Sequence, residues 1–196
     1  MHIRIPGSRV VLRDLEPGDP ESIWYWKFES EDREHHRWNG PYYSMEAPPR
    51  EDFDRRWGEE LNRVGTLRPR RHLVIEIDGE LKGTVNRYWV DPVTRWFEIG
   101  LVIFDSRCWS RGCGTEAFQM WIDYLFLSMD TVRLGISTWS GNERMIRLAD
   151  RCGMVEEGRI RKARIVEGRY YDSVKMGLLR EEWESGKRAD LPLFYP

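Results

Sequence analysis

Residues 98–127 read EIGLVIFDSRCWSRGCGTEAFQMWIDYLFL, and the fold is decided there. A strand rich in Ile, Val and Leu comes first, then a loop with Arg107 and Arg111, then a Gly-x-Gly turn at Gly112 and Gly114 that opens a helix. Because those glycines carry no Cβ, an anionic group can approach the main chain of residues 111–116. Unpaired amides and the positive helix end favour it there. The stretch reads as a phosphate seat at the end of a strand.

What the seat can serve is bounded by size and charge. A chain of 196 residues fits one domain, here residues 1–196 with a core at about 8–183, and buries roughly 70% of its unfolded surface. With 31 basic against 33 acidic residues there is no bulk attraction to nucleic acid or to an anionic membrane. The opening MHIRIPGSRVVLRDL has no apolar signal core, and no run approaches the ~20 apolar residues of a membrane span, so a cytoplasmic protein is expected. Cys108, Cys113 and Cys152 match neither a disulfide framework nor a zinc motif and are read as reduced thiols. His35 and His36 adjoin Glu34 but lack a third ligand at sensible spacing, so no metal is expected.

Outward from the central stretch, residues 8–15 (SRVVLRDL) alternate as an opening strand, closed by Pro17, Gly18 and Pro20. Residues 21–28 (ESIWYWKF) form a short aromatic helix, and residues 31–43 a loop marked by Asn39, Gly40 and Pro41. Trp24, Trp26, Trp38, Tyr42 and Tyr43 give this region more aromatic surface than one core face needs. A pocket wall and plain burial under a long loop are both open readings. Phe53, Trp57, Leu61 and Val64 recur at helical spacing over residues 50–64. Residues 71–91 are two strands turning at Asp78-Gly79, and a further turn at Asp91-Pro92 leads into a third, residues 95–104. After the central helix come a strand at 132–139 and a helix at 142–152, with Ser140 and Glu143 as a capping box and Gly153 as its stop. Two strands turning at Glu167-Gly168 fill 155–179. The order implies an α+β protein, a mixed layer with a mostly antiparallel sheet flanked by helices.

Trp109, Gly112, Gly114, Thr115, Glu116 and Ala117 form a Trp-x-x-Gly-x-Gly-Thr-Glu-Ala run. This run resembles the acyl-CoA motif of the GNAT N-acetyltransferases, in the branch similar to ribosomal-protein N-terminal acetyltransferases. GNERMIRLADRCGMVEEGRIR and EGRYYDSVKMGLLREEW resemble that branch's later helix and closing strand. The resemblance implies a GNAT-like acyl-CoA N-acyltransferase fold and acetyl-CoA as donor. Its diphosphate would lie on Arg111, Gly112, Cys113, Gly114 and Thr115, and its pantetheine arm along Leu101, Val102 and Ile103. Arg107 and Arg111 would add charge-assisted contacts, and Asn142 would bond the arm or simply start its helix. The same glycines fit the dinucleotide fingerprint G-x-G-x-x-A, but residues 106–111 separate them from the strand and the next strand ends ISTWSG without an acid. NAD is therefore the poorer reading.

Acetyl transfer to an amine needs a neutral amine. At pH 7 that costs about 1 kcal/mol for an α-amine of pKa about 7.8 but about 4.6 for a lysine of pKa about 10.4, so an α-amine asks less of a base; together with the branch resembled, this makes a protein N-terminus the expected acceptor, with a small amine or amino sugar next. Glu98 is the candidate base, since on its strand it shares a face with Trp96, Gly100, Val102 and Phe104, where lost water favours taking a proton. A salt bridge to Arg87 or Arg95 is the competing role. Trp24, Trp38 and Tyr170 are the candidate acceptor contacts, with Tyr170 or Tyr171 available as an acid. The resemblance is imperfect on the 142–152 helix, where Ala149 and Met145 stand at positions that elsewhere carry tyrosine and serine. A weakly catalytic acyl-CoA sensing module is thus a second class of function. Cys113 at the helix start has the place of a thiol with lowered pKa. The apolar end LPLFYP, residues 191–196, suggests a possible homodimer contact.

Overall fold

The computed structural model describes residues 2–66 and 68–186. Eight strands form one sheet: β1 Arg4–Pro6, β2 Val11–Arg13, β3 His72–Ile77, β4 Glu80–Asp91, β5 Trp96–Ile103, β6 Arg133–Trp139, β7 Val155–Val166 and β8 Arg169–Leu179, in the order β1-β2-β3-β4-β5-β6-β8-β7. The helices are α1 Asp19–Trp24, α2 Arg50–Arg63, α3 Cys113–Ser128, α4 Glu143–Arg151 and α5 Arg180–Gly186. The α+β expectation holds. At Asp78-Gly79 both residues have positive φ, 52° and 80°, as a two-residue hairpin requires.

Three local expectations change. The opening strand is shorter than residues 8–15: β2 covers Val11–Arg13 and pairs with β1 before it in a hairpin closed by Gly7 N to Val10 O at 2.8 Å. The aromatic helix ends in a wider π-helical turn, Tyr25–Glu29. Ser140 does not cap α4: its hydroxyl accepts from Asp172 N at 2.9 Å, and the Asn142 side chain caps instead, accepting from Met145 N at 3.1 Å. Residues 191–196 lie outside the described residues.

Alternation along the strands divides the apolar residues between two layers. Leu73, Ile75, Phe97, Ile99 and Ile103 face α3 and α4, whose Phe118, Trp121, Ile122, Leu125 and Ala149 complete the larger core. Val74 and Phe104 face the other way, onto Ile23 of α1 and Phe53 and Trp57 of α2. Every strand pair is antiparallel except β5 with β6, and that pair shares a single register position, Glu98 opposite Gly135. Beyond Glu98, β5 stays paired to β4 as far as Ile103, while its other edge parts from β6. The sheet forks there.

The β4 side of the fork tolerates no filling. A Cβ on Gly83 would run into Val102 O and stand 3.1 Å from the Ile103 Cα. Gly83→Ala is expected to cost on the order of 1–3 kcal/mol in urea unfolding and to disturb residues 101–103. Wild-type stability in that variant would contradict the packing described.

Candidate active site

The fork opens onto a cavity of about 400 Å³ walled by Leu101, Val102 and Ile103 of β5, by Gly112, Gly114 and Thr115 at the start of α3, and by α4. Trp109, Ser110, His35 and Trp38 complete the wall. Gly112 adopts the left-handed conformation, φ 84°, and Glu116 N to Gly112 O at 3.0 Å is the first bond of the α3 ladder. The amides of residues 113–115 therefore have no partner within the helix and point out of its positive end.

Charge at this turn is supplied differently from expectation. Arg107 turns away, its Nε and Nη2 bonded to Asp105 at 2.9 and 2.8 Å. That carboxyl, fixed also by Lys82 at 3.1 Å, is held well below the usual carboxylate range by these partners. Arg111 is exposed at the turn without lining the cavity. Arg9, from the β1–β2 turn, stands over Gly112: its Nε would lie 3.6 Å from a Cβ there. Glu116 fixes that turn by accepting from Arg9 N at 3.0 Å and Ser8 Oγ at 2.9 Å. The Cys113 thiol faces the core, and burial pushes its pKa up, the reverse of the activated thiol its position suggested.

A strap crosses the fork. Residues 34–37 make a 3-10 turn that sets His35 edge-on to Phe104, ring centroids 5.3 Å apart, beyond the end of β5. On the other arm, Trp38 O accepts from Trp139 Nε1 at 3.1 Å and Asn142 Nδ2 at 2.9 Å. Asn142 is thus committed at both ends of its amide, to the strap and to the α4 cap. Arg144 sits over the Trp38 and Trp109 rings, 5.4 and 5.0 Å from their centroids.

Glu98 occupies the apex of the fork, 3% exposed and not itself on the cavity wall, and its neighbours are not the apolar groups expected. Its Oε1 accepts from Ser137 Oγ at 2.9 Å and Lys175 Nζ at 2.7 Å, and its Oε2 from Tyr88 OH at 2.9 Å. The salt-bridge partner is Lys175, neither Arg87 nor Arg95. Arg87 bonds the carbonyls of Arg70 and Pro69 instead. Burial of its hydroxyl end, then the Glu98 carboxylate, pushes the Tyr88 phenol above its ordinary range, so it remains a donor.

The aromatic cluster divides. Trp38 lines the cavity. Trp24 does not: it packs between Phe28 at 4.8 Å and Phe53 at 5.0 Å. Tyr170 is 62% exposed on the β7–β8 hairpin and is also off the wall. Tyr171 packs edge-on to Trp139 at 4.8 Å. Ala149 is wholly buried and Met145 lines the cavity, so α4 presents no hydroxyl to it. Among the described residues no group of three or more His, Cys, Asp or Glu could hold a metal, and no helix is long and apolar enough to cross a membrane.

Residues 9–155 match the family described as "Acetyltransferase (GNAT) domain". The chain belongs to the GNAT acetyltransferase family. This GNAT enzyme is 34% identical over 110 residues to YdaF of Bacillus subtilis, a putative ribosomal N-acetyltransferase, covering 56% of this chain and 60% of that one. It is 25% identical over 113 residues to the Escherichia coli K12 spermidine N(1)-acetyltransferase, covering 58% and 60%. A solved probable acetyltransferase superposes with TM-score 0.71 at 25% identity over 92% of this chain and 99% of that one. Spermidine N-acetyltransferase from Vibrio cholerae, solved with CoA and spermine, also reaches 0.71, at 21% identity over 91% and 99%. The protein is an N-acetyltransferase that moves acetyl from acetyl-CoA to an amine.

The cavity fits that donor on its own terms. A Cβ at Gly114 would press to 3.3 Å on Leu148 Cδ1, so the turn keeps its main chain bare. On the same wall, Leu101, Val102 and Ile103 leave a strand edge that β6 does not cover, which suits an extended arm.

His35 also carries a pH signature. Burial, then His36, holds its pKa at about 4, while burial lowers His36 in the same direction. Unfolded histidine takes up its proton near pH 6.5 and folded His35 resists to about 4, so the unfolded state binds more protons between them and stability falls as pH drops through that window. The loss reaches about 3 kcal/mol at its limit. Urea midpoints should therefore fall from pH 6.5 to 4.5, and H35F should flatten most of that slope. An identical slope in H35F would contradict a buried neutral His35.

Proposed function

We propose that this enzyme acetylates an α-amino group, with a protein or peptide N-terminus as acceptor, and that Glu98 receives the amine's proton. One observation carries the reading: Glu98 stands at the last register position before the sheet forks, where the open edge of β5 begins. Acetyl-CoA supplies the acetyl group as an activated thioester. The free edge of Leu101–Ile103 offers main-chain partners for its arm, and the amides of residues 112–115 with Arg9 and Arg111 offer a cation-rich seat for its diphosphate.

Glu98 keeps one lone-pair site unfilled behind the cavity wall. A carboxylate has about four lone-pair sites, and Ser137, Lys175 and Tyr88 use three, leaving one on Oε2 for the acceptor nitrogen. Its three donors hold the carboxylate in place, and taking the proton of an α-amine, which costs about 1 kcal/mol to deprotonate at pH 7, asks little of it as a base. No acidic side chain on α4 is needed if the departing thiol has an ordinary pKa of about 8.5.

Polyamine acetylation is the second reading, favoured by the spermidine N(1)-acetyltransferases among the relatives. Against it, the carboxylate at the apex of the fork is already paired with Lys175 at 2.7 Å, which leaves less acid there for a second amino group.

An acceptor panel tests both readings. With acetyl-CoA, peptides with free N-termini should exceed spermidine and spermine in kcat/KM by at least about tenfold, and E98Q should lower the peptide rate at pH 7 by about 10²–10⁴, with partial recovery near pH 9 where the amine deprotonates itself. Preference for spermidine would overturn the acceptor assignment, and an unaltered E98Q rate across pH the role of Glu98.

A further inference from the structure

Three arginines stand on one face of α4 and on the wall of the donor cavity: Arg144, Arg147 and Arg151, spaced by three and then four residues. The helix runs from Asn142, tied to the strap at the fork, toward Arg151, and midway Leu148 lies against Gly114 in the amide turn. Arg147 and Arg151 therefore flank Leu148 at and beyond the level of the diphosphate seat, on the side away from Glu98. Arg144 sits nearer the fork, under the two indoles.

These charges are not spent on the protein in the usual way. Many of the chain's arginines hold carboxylates closely: Arg13 with Asp19 and Glu76, Arg70 with Asp14, Arg159 with Glu156 and Asp172. Arg151 has no ion pair or hydrogen bond among the described residues, and Arg147 has only the exposed Glu143 one turn back, at 2.9 Å. An exposed i,i+4 pair of that kind is weak and readily exchanged for a doubly charged anion. Two such cations beside an anion-binding helix end, in a chain of net charge −2, make a local positive field that the overall balance does not explain.

We propose that Arg147 and Arg151 bind the 3′-phosphate on the nucleotide end of the coenzyme and so make the enzyme selective for CoA over its dephospho form. The inference rests on the reading of the cavity as the acetyl-CoA site. An arm whose thioester end lies at Glu98 and whose diphosphate lies on residues 112–115 has its nucleotide on the far side of the seat, where these two side chains stand. A phosphomonoester carries nearly two negative charges at neutral pH and accepts the forked donors of arginine in pairs. The diphosphate is served by main chain and Arg9, which leaves Arg147 and Arg151 to read the additional group.

Calorimetry with CoA, dephospho-CoA and 3′,5′-ADP tests this on the full chain without turnover. Wild type should bind CoA at least about tenfold more tightly than dephospho-CoA, an advantage that shrinks as salt rises from 50 to 500 mM. R147Q/R151Q should lose that advantage by weakening CoA and 3′,5′-ADP alone, with dephospho-CoA bound as in wild type. R147K/R151K should retain part of it through charge. Equal binding of CoA and dephospho-CoA by wild type would overturn the proposal, as would a glutamine variant that keeps the discrimination or weakens both coenzymes equally. Failure of wild type to bind any of the three would instead defeat the reading of the cavity itself.

Discussion

A parallel pair that holds at one register position and then lets go is the constraint on which this molecule turns. Glu98 meets Gly135, and past that point β5 keeps only β4 as a neighbour, so half of its main-chain groups face an opening instead of a strand. Exposed strand edges are ordinarily covered or blunted. Here the opening is framed by the α3 amide turn, by α4 and by the strap, and it remains a cavity. The strap is held from both arms, His35 against Phe104 and Trp38 O on Trp139 and Asn142, which fixes the width of the fork without filling it.

Much of this was legible because it is local. Asp78-Gly79 and Glu167-Gly168 demand hairpins, the spacing of Phe53 and Trp57 demands a helix, and Gly112 and Gly114 leave a helix end bare for an anion. Each signal lies within a few residues of its consequence. Periodicity also put Glu98 on the face of β5 that Val102 and Phe104 share, opposite Phe97 and Ile99.

What periodicity omits is which face meets which. Lys175 is 77 positions from Glu98 and reaches it only because β8 pairs with β6 opposite Ser137. The apolar neighbours of Glu98 in sequence were real, yet its neighbours in space are three donors. Arg9 comes over Gly112 from the turn of the opening hairpin, at a position that reads in sequence as part of the strand. Arg107 looked like an anion ligand, but the tight 3-10 turn of residues 106–108 folds it back onto Asp105 two positions away. Arg144, Arg147 and Arg151 are spaced for one helix face in the sequence, but nothing local says that this face borders the cavity. Cys113 shows the same limit from the other side, since a helix start lowers a thiol's pKa only when the sulfur faces outward, and this one is in the core.

Hydrogen exchange of the backbone with and without CoA addresses the central claim most directly, because it reads the open edge itself. Peptides spanning residues 101–103 and 112–115 should exchange measurably more slowly when the coenzyme is present, while the β3–β4 hairpin should not change. Unaltered exchange in both segments under saturating coenzyme, or protection confined to the β7–β8 hairpin, would contradict a fork that takes up the coenzyme's arm as an added strand.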